Sequence, residues 1–179
     1  MIVAIIIIIT IVILIGYAVS ISNGLNRAII KIDEANSDID VSLAKRYDVL
    51  TKMIDVVKGY AKYEQETLFK TVELRKNMTI KEKNEVNQLM EENFEKINAL
   101  AENYPDLKAS ENYKTLQKAI ADVEEHLQAS RRLYNSNVSS YNQKIVTFPS
   151  SVIANSKGLT KKEFFSVEDK KREDVKIDI

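Results

Sequence analysis

Met1 to Val19 carries no charged side chain, and Ile2 to Ile15 is almost unbroken aliphatic residue, interrupted only by Ala4 and Thr10. As a helix this stretch reaches about 28 Å, close to the ~30 Å of bilayer hydrocarbon, whereas a buried soluble helix keeps a polar face. Residues 1–19 therefore read as a transmembrane anchor, with the lipid bilayer as first partner. A cleaved signal peptide is the competing reading, because Ala18-Val19-Ser20 offers small residues to a peptidase; the lack of a basic n-region favours the uncleaved anchor. Arg27 and Lys31 follow an uncharged amino end, which by the positive-inside rule puts the N-terminus outside and the body in the cytoplasm.

The rest of the chain, about 160 residues, is large enough for one real core. Lys plus Arg and Asp plus Glu number 26 each, so no basic field gathers nucleic acid, and none is expected as a partner. There is no cysteine, which removes disulfides, thiolate nucleophiles and cysteine-based metal sites.

Only four Gly and two Pro occur, and beyond the anchor the apolar residues keep a helical period. Leu25, Ala28, Ile32, Ala35 and Ile39 step by three and four. After a short stutter through Leu43 and Tyr47 the seam resumes at Leu50, Ile54, Val57, Ala61, Leu68 and Val72. This spacing belongs to a bundle or coiled coil, and no proline breaks residues 20–76. Thr79-Ile80-Lys81-Glu82 is a capping box that starts a second helix, with a seam of Val86, Met90, Ile97, Leu100 and Tyr104 ending at Pro105. Ser110-Glu111 opens a third helix. Its seam is Leu116, Ile120, Val123, Leu127, Tyr134, Val138, Tyr141, Ile145 and Phe148, with Ser130 as the one defect, and Phe148-Pro149 stops it. A short helix through Val152 to Asn155 follows. The expected fold is all-α: an N-terminal transmembrane helix and an elongated antiparallel bundle of three long helices plus a short fourth, residues 20–157, then a tail, 158–179.

The body resembles the LemA family. The segments that carry the resemblance are Asp38-Ile39-Asp40-Val41-Ser42-Leu43-Ala44-Lys45-Arg46-Tyr47-Asp48; Val56-Val57-Lys58-Gly59-Tyr60-Ala61; Glu102-Asn103-Tyr104-Pro105-Asp106-Leu107-Lys108-Ala109-Ser110-Glu111-Asn112; and Arg131-Arg132-Leu133-Tyr134-Asn135 with Tyr141-Asn142 and Phe148-Pro149. The resemblance implies a bacterial single-pass membrane protein with a helical-bundle body and no settled biochemical activity. Family members commonly carry Trp where this chain has Asn36, and Pro-Asn where it has Lys52-Met53, so contacts made by those groups do not carry over.

The residues supply little chemistry. His126, the one histidine, sits beside Glu124 and Glu125, and with Val123 in place of an acid even one Glu-x-x-His unit is missing. It reads as an exposed helix residue. Serines and threonines lack a convincing base, no Gly-rich phosphate loop occurs, and Lys81-Glu82-Lys83 and Glu91-Glu92 read as solvated helix faces. No catalytic residue, cofactor or metal is expected.

Two polar constellations stand out. Lys45, Arg46, Tyr47 and Asp48 lie on helix one; Arg131, Arg132, Tyr134, Asn135, Asn137, Tyr141 and Asn142 lie on helix three. They read either as layers that fix helix register or as a docking surface built from Arg and Tyr. A separate stripe of Gly16, Ser20, Gly24 and Ala28, extended by Ile32, marks a candidate self-association face. Helix one, read as a ~75 Å rod from 25 to 75, outreaches its ~38 Å and ~57 Å successors, so its seam from Leu25 to Ile39 is expected to lack cover except from neighbouring copies. In the tail, Val175, Ile177 and Ile179 alternate like a pairing strand, while Lys170-Lys171-Arg172-Glu173-Asp174 favours a disordered segment. The function expected is a non-enzymatic scaffold or interaction protein that self-associates as a homo-oligomer at the bacterial inner membrane. The alternative is a regulatory accessory to a membrane protease or envelope-stress component, since LemA-like proteins are often encoded beside a membrane zinc metalloprotease.

Overall fold

The computed structural model describes residues 1–60 and 69–165. Among these the protein is all-helical, with no strand: α1 (Ile2–Tyr60), α2 (Ile80–Asn103), α3 (Pro105–Ala109), α4 (Glu111–Val146) and α5 (Ser150–Ser156). Among the described residues the chain forms two compact units, one from residues 1–37 and 132–164, the other from residues within 38–131 together with Phe165. Helices α1 and α4 each contribute to both.

Helix α1 opens with a window long and apolar enough to cross a membrane, none of it buried against the rest of the chain. It continues without a break into the packed body. There Leu25, Ala28, Ile32, Ala35, Ile39, Ser42, Arg46, Val49 and Met53 form one buried row in strict alternation of three- and four-residue steps, and Leu43, Leu50 and Val57 are buried beside it. The expected stutter is absent from this row. Ser42 and Arg46 hold polar positions in that row; of the apolar residues expected at this level, Leu43 is buried and Tyr47 half-buried.

In the first unit the α1 seam from Leu25 to Ala35 is buried with Tyr134, Val138, Tyr141 and Ile145 of α4 and Ala154 of α5. Asn137 Nδ2 donates to the Lys31 carbonyl at 2.9 Å, which sets α4 against α1. This corrects the expectation that the seam near the membrane needs neighbouring copies to cover it: α4 and α5 supply the cover. Helix one is also shorter than expected. Residues 69–79 are not helical, so helix one does not run on to residue 75; Ala61 and Leu68 of its expected seam lie outside the described residues.

In the second unit the core gathers Ile39, Leu43, Leu50, Met53 and Val57 of α1, Met90, Phe94, Ile97 and Ala101 of α2, Leu107 of α3, and Tyr113, Val123 and Leu127 of α4. The capping box at Thr79 is complete, with Glu82 N–H donating to Thr79 Oγ1 at 3.2 Å and Thr79 N–H to Glu82 Oε2 at 2.7 Å. Those bonds from Thr79 hold the Glu82 carboxyl below its ordinary value. Pro105, expected only to end α2, also begins the one-turn helix α3, because a fixed φ and a missing N–H suit a first helical position. Ser110 then accepts from Tyr113 N–H at 3.3 Å to start α4.

Leu127 is fully buried, so Leu127→Ala is expected to cost about 2–5 kcal/mol in denaturant unfolding. Ile32→Asp is expected to unfold the first unit rather than separate copies, read as lost helicity in a chain of residues 25–165, which retains every buried core residue named above.

Candidate functional site

The polar residues of the helix seams converge in the second unit. Arg46, 1 % exposed although it carries a permanent charge, donates from Nη1 to the Asn87 carbonyl at 2.9 Å and to the Asn87 side chain. Its Nη2 pairs with Glu91, and its Nε faces Glu124 Oε1 at 2.5 Å. The guanidinium also lies over the Phe94 ring, 5.3 Å from the centroid. One α1 side chain thereby ties α2, through three residues, to α4, through one. Four residues along α4 from Leu127, Arg131 stands over the Phe165 ring at 4.6 Å. Burial first, and the like charge of Arg46 second, lower its pKa from the ordinary value; a guanidinium remains a cation all the same. Two cations are thus balanced by two carboxylates, each about one-third exposed.

A second buried cation lies on the same pair of helices: Lys83 of α2, 1 % exposed, reaches Asp40 of α1 at 2.6 Å. A third device uses an amide. Asn93 is fully buried; its Nδ2 donates to the Lys70 carbonyl at 2.8 Å and its Oδ1 accepts from Lys70 N–H at 2.9 Å. This holds the non-helical segment before α2 by its main chain.

The first unit repeats that device. Asn142 Nδ2 donates to the Lys162 carbonyl and its Oδ1 accepts from Lys162 N–H, both at 2.9 Å. The buried phenols of Tyr134 and Tyr141 donate to the carbonyls of Glu163 at 3.1 Å and Thr160 at 3.0 Å. Residues 158–164, the first part of the stretch read as a tail, are therefore strapped along α4. The alternating Val175, Ile177 and Ile179 lie outside the described residues.

The LemA family model matches residues 35–179, most of the chain, and takes in both sets of contacts. The chain belongs to the LemA family. It is also 31 % identical over 154 residues to Protein LemA of Metamycoplasma hominis, covering 81 % of this chain and 68 % of that protein. LemA is not known as an enzyme family, and the blocks that carry the likeness contain Arg46, Arg131, Tyr134, Tyr141 and Asn142.

Of the expected docking or register residues, Arg46, Tyr134 and Tyr141 are buried, Tyr47, Arg131, Asn135 and Asn142 half-buried, and Lys45 and Arg132 exposed. Of the small-residue stripe, Gly16 and Ser20 are exposed and Gly24 half-exposed; a Cβ added at either glycine meets nothing within 4 Å. Ala28 and Ile32 are core residues and cannot serve as a face for another copy, because α4 and α5 already cover them. Lys83 and Glu91, read from sequence as solvated, are a buried cation and an Arg46 partner. Lys83, Asn87, Met90, Phe94, Ile97 and Ala101 follow the three-and-four rule, so the signal was a seam with polar members. His126 is exposed, and no metal-ligating cluster occurs among the described residues.

Removing one partner of a buried ion pair costs about 3–5 kcal/mol, whereas an apolar replacement of matching volume is often close to neutral. Arg46→Ala, which also leaves a cavity, is expected in that range by urea unfolding. Arg46→Met fills the seam and frees two glutamates that already reach water, and is expected to cost less than half as much. Equal losses would show that volume matters little at this position.

Burial, followed by the nearby Glu163 and Asp33 carboxylates, raises the Tyr134 phenol pKa, and burial raises that of Tyr141. The folded chain then keeps protons that the unfolded chain loses near pH 10. The stability involved is complete below that pH and lost as pH rises toward the folded-state values. Tyr134→Phe with Tyr141→Phe is expected to cost about 1 kcal/mol per hydroxyl at neutral pH. It should also weaken the alkaline loss of helicity, leaving the contribution of Tyr113, whose phenol burial also raises.

Proposed function

We propose that this protein is a membrane-anchored, non-enzymatic helical interaction protein of the bacterial inner membrane, with its N-terminus outside and its body in the cytoplasm. The observation that carries the reading is the continuity of α1: one unbroken helix joins a wholly exposed apolar segment to the seam of both packed units. A removable signal sequence is usually followed by a flexible cleavage site, whereas Ala18-Val19-Ser20 lies here inside that helix. The polar side chains that sequence patterning singles out are largely spent on internal bonds. Tyr134, Tyr141, Asn142 and Arg46 all face their own chain, which suits a scaffold better than a reactive centre.

Self-association, on this reading, uses the span. With Ala28 and Ile32 in the core, the remaining unpartnered small residues are Gly16 and Ser20, where two helices in lipid can approach closely. The first unit also supports the assigned orientation, since it holds seven cations against three carboxylates and lies on the side that the positive-inside rule places in the cytoplasm.

A cysteine introduced at Lys81, exposed on α2, is expected to resist a membrane-impermeant thiol reagent in intact cells and to react after lysis. Gly16→Leu is expected to shrink the detergent-solubilised particle without changing helicity. A small particle that copurifies with a different membrane protein, unaffected by Gly16→Leu, would instead favour an accessory role.

A further inference from the structure

The turn between α4 and α5 and the helix ends beside it carry three exposed large apolar side chains. Val146 is 58 % exposed, Val152 58 % and Phe148 79 %. Phe148 is barer than any large apolar residue of the span after Met1. Water-facing apolar residues are ordinary when scattered, but a cluster at one tip calls for an occupant.

The register between α1 and α4 says where this tip lies. Asn137 bonds to the Lys31 carbonyl, and the two helices run antiparallel, so each step along α4 matches one step back along α1. Nine residues on, Val146 comes level with Ser22, and Phe148, beyond the helix end, reaches toward the level of Ser20. A second contact agrees: Lys157, at the end of α5, reaches Asn26 Oδ1 at 3.3 Å. The bare tip is therefore level with the end of the apolar span, where a bilayer surface meets α1.

Charge points the same way. No Asp or Glu occurs from Met1 to Ile32 or from His126 to Lys162, while Arg27, Lys31, Lys144 and Lys157 stand in those stretches. Apolar side chains flanked by lysines suit the headgroup boundary of an anionic membrane.

We propose that the α4–α5 turn is a second membrane contact, with Phe148, Val146 and Val152 seated in the bilayer interface beside α1. This rests on the reading of the α1 span as an anchor. The occupant is lipid rather than another protein, because the patch continues a surface that is already apolar and its rim is cationic.

The chain has no cysteine, so single-cysteine fluorophores test the contact in the full-length protein. Labels go at Ile8 in the span, Thr147 in the turn and Ser136, about 16 Å further up α4. The protein is reconstituted in phosphatidylcholine–phosphatidylglycerol vesicles with brominated acyl chains. The expected result is quenching and a blue shift at Ile8 and Thr147, with Ser136 unquenched. The Thr147 signal should be lost in a Phe148→Ser, Val152→Ser variant of unchanged helicity. Quenching at Ile8 with a solvent-like Thr147 overturns the second contact and leaves the anchor standing. An unquenched Ile8 overturns both. Persistence of the Thr147 signal in the serine variant, or equal quenching at Ser136, also overturns the contact, since the apolar tip would then not be its cause.

Discussion

Arg46 is a permanent cation in the middle of an apolar seam, and the second unit is arranged around that fact. A buried guanidinium without partners costs several kcal/mol, so the fold holds only where α2 brings Asn87 and Glu91, and α4 brings Glu124, to the same level. A slide of either helix by one turn would move every partner by about 5.4 Å and leave the charge unpaired. The apolar seam alone tolerates such a slide, because Leu, Ile and Met pack almost as well one turn along. The ion network supplies the distinction between registers that hydrophobic burial lacks, as a polar seam residue does in simpler helix assemblies.

The same division of labour recurs at smaller scale. Lys83 with Asp40 fixes α2 against α1 by a charge, and Asn93 and Asn142 each fix a non-helical segment by a two-point amide clasp. In each case burial of apolar surface favours compaction in general. A directional polar contact selects one arrangement, because an unmatched buried amide or ammonium is costly in a helical interior.

How much of this was legible follows from the same physics. The α2 capping box, the restart at Ser110, the stop before Pro149 and most core positions of α4 could be read directly, since local capping chemistry and apolar period act within a few residues. Period-finding recovers Leu43, Leu50 and Val57 of α1 but not Ser42 or Arg46, nor Lys83 and Asn87 of α2, because it counts apolar residues and these seam members are polar. The cover over Leu25–Ala35 was missed for another reason: it depends on α4 and α5 returning to α1 more than a hundred residues later, and helix lengths alone do not encode that pairing. Tyr134, Tyr141 and Asn142 stand out in the sequence, but their partners are main-chain groups of residues 160–163, which leave no side-chain pattern to find.

That last point bears on how freely this part of the chain can vary. The strap along α4 is recognised through its carbonyls and one N–H, while the side chains of Lys161, Lys162 and Glu163 remain exposed. Such a segment is addressed by backbone shape, so most substitutions in it are silent to the fold. Proline at 162 is the exception, since it lacks the single donor that Asn142 reads. Divergence among sequences sharing this architecture can therefore accumulate in the strap while the asparagine and two tyrosines that grip it stay fixed.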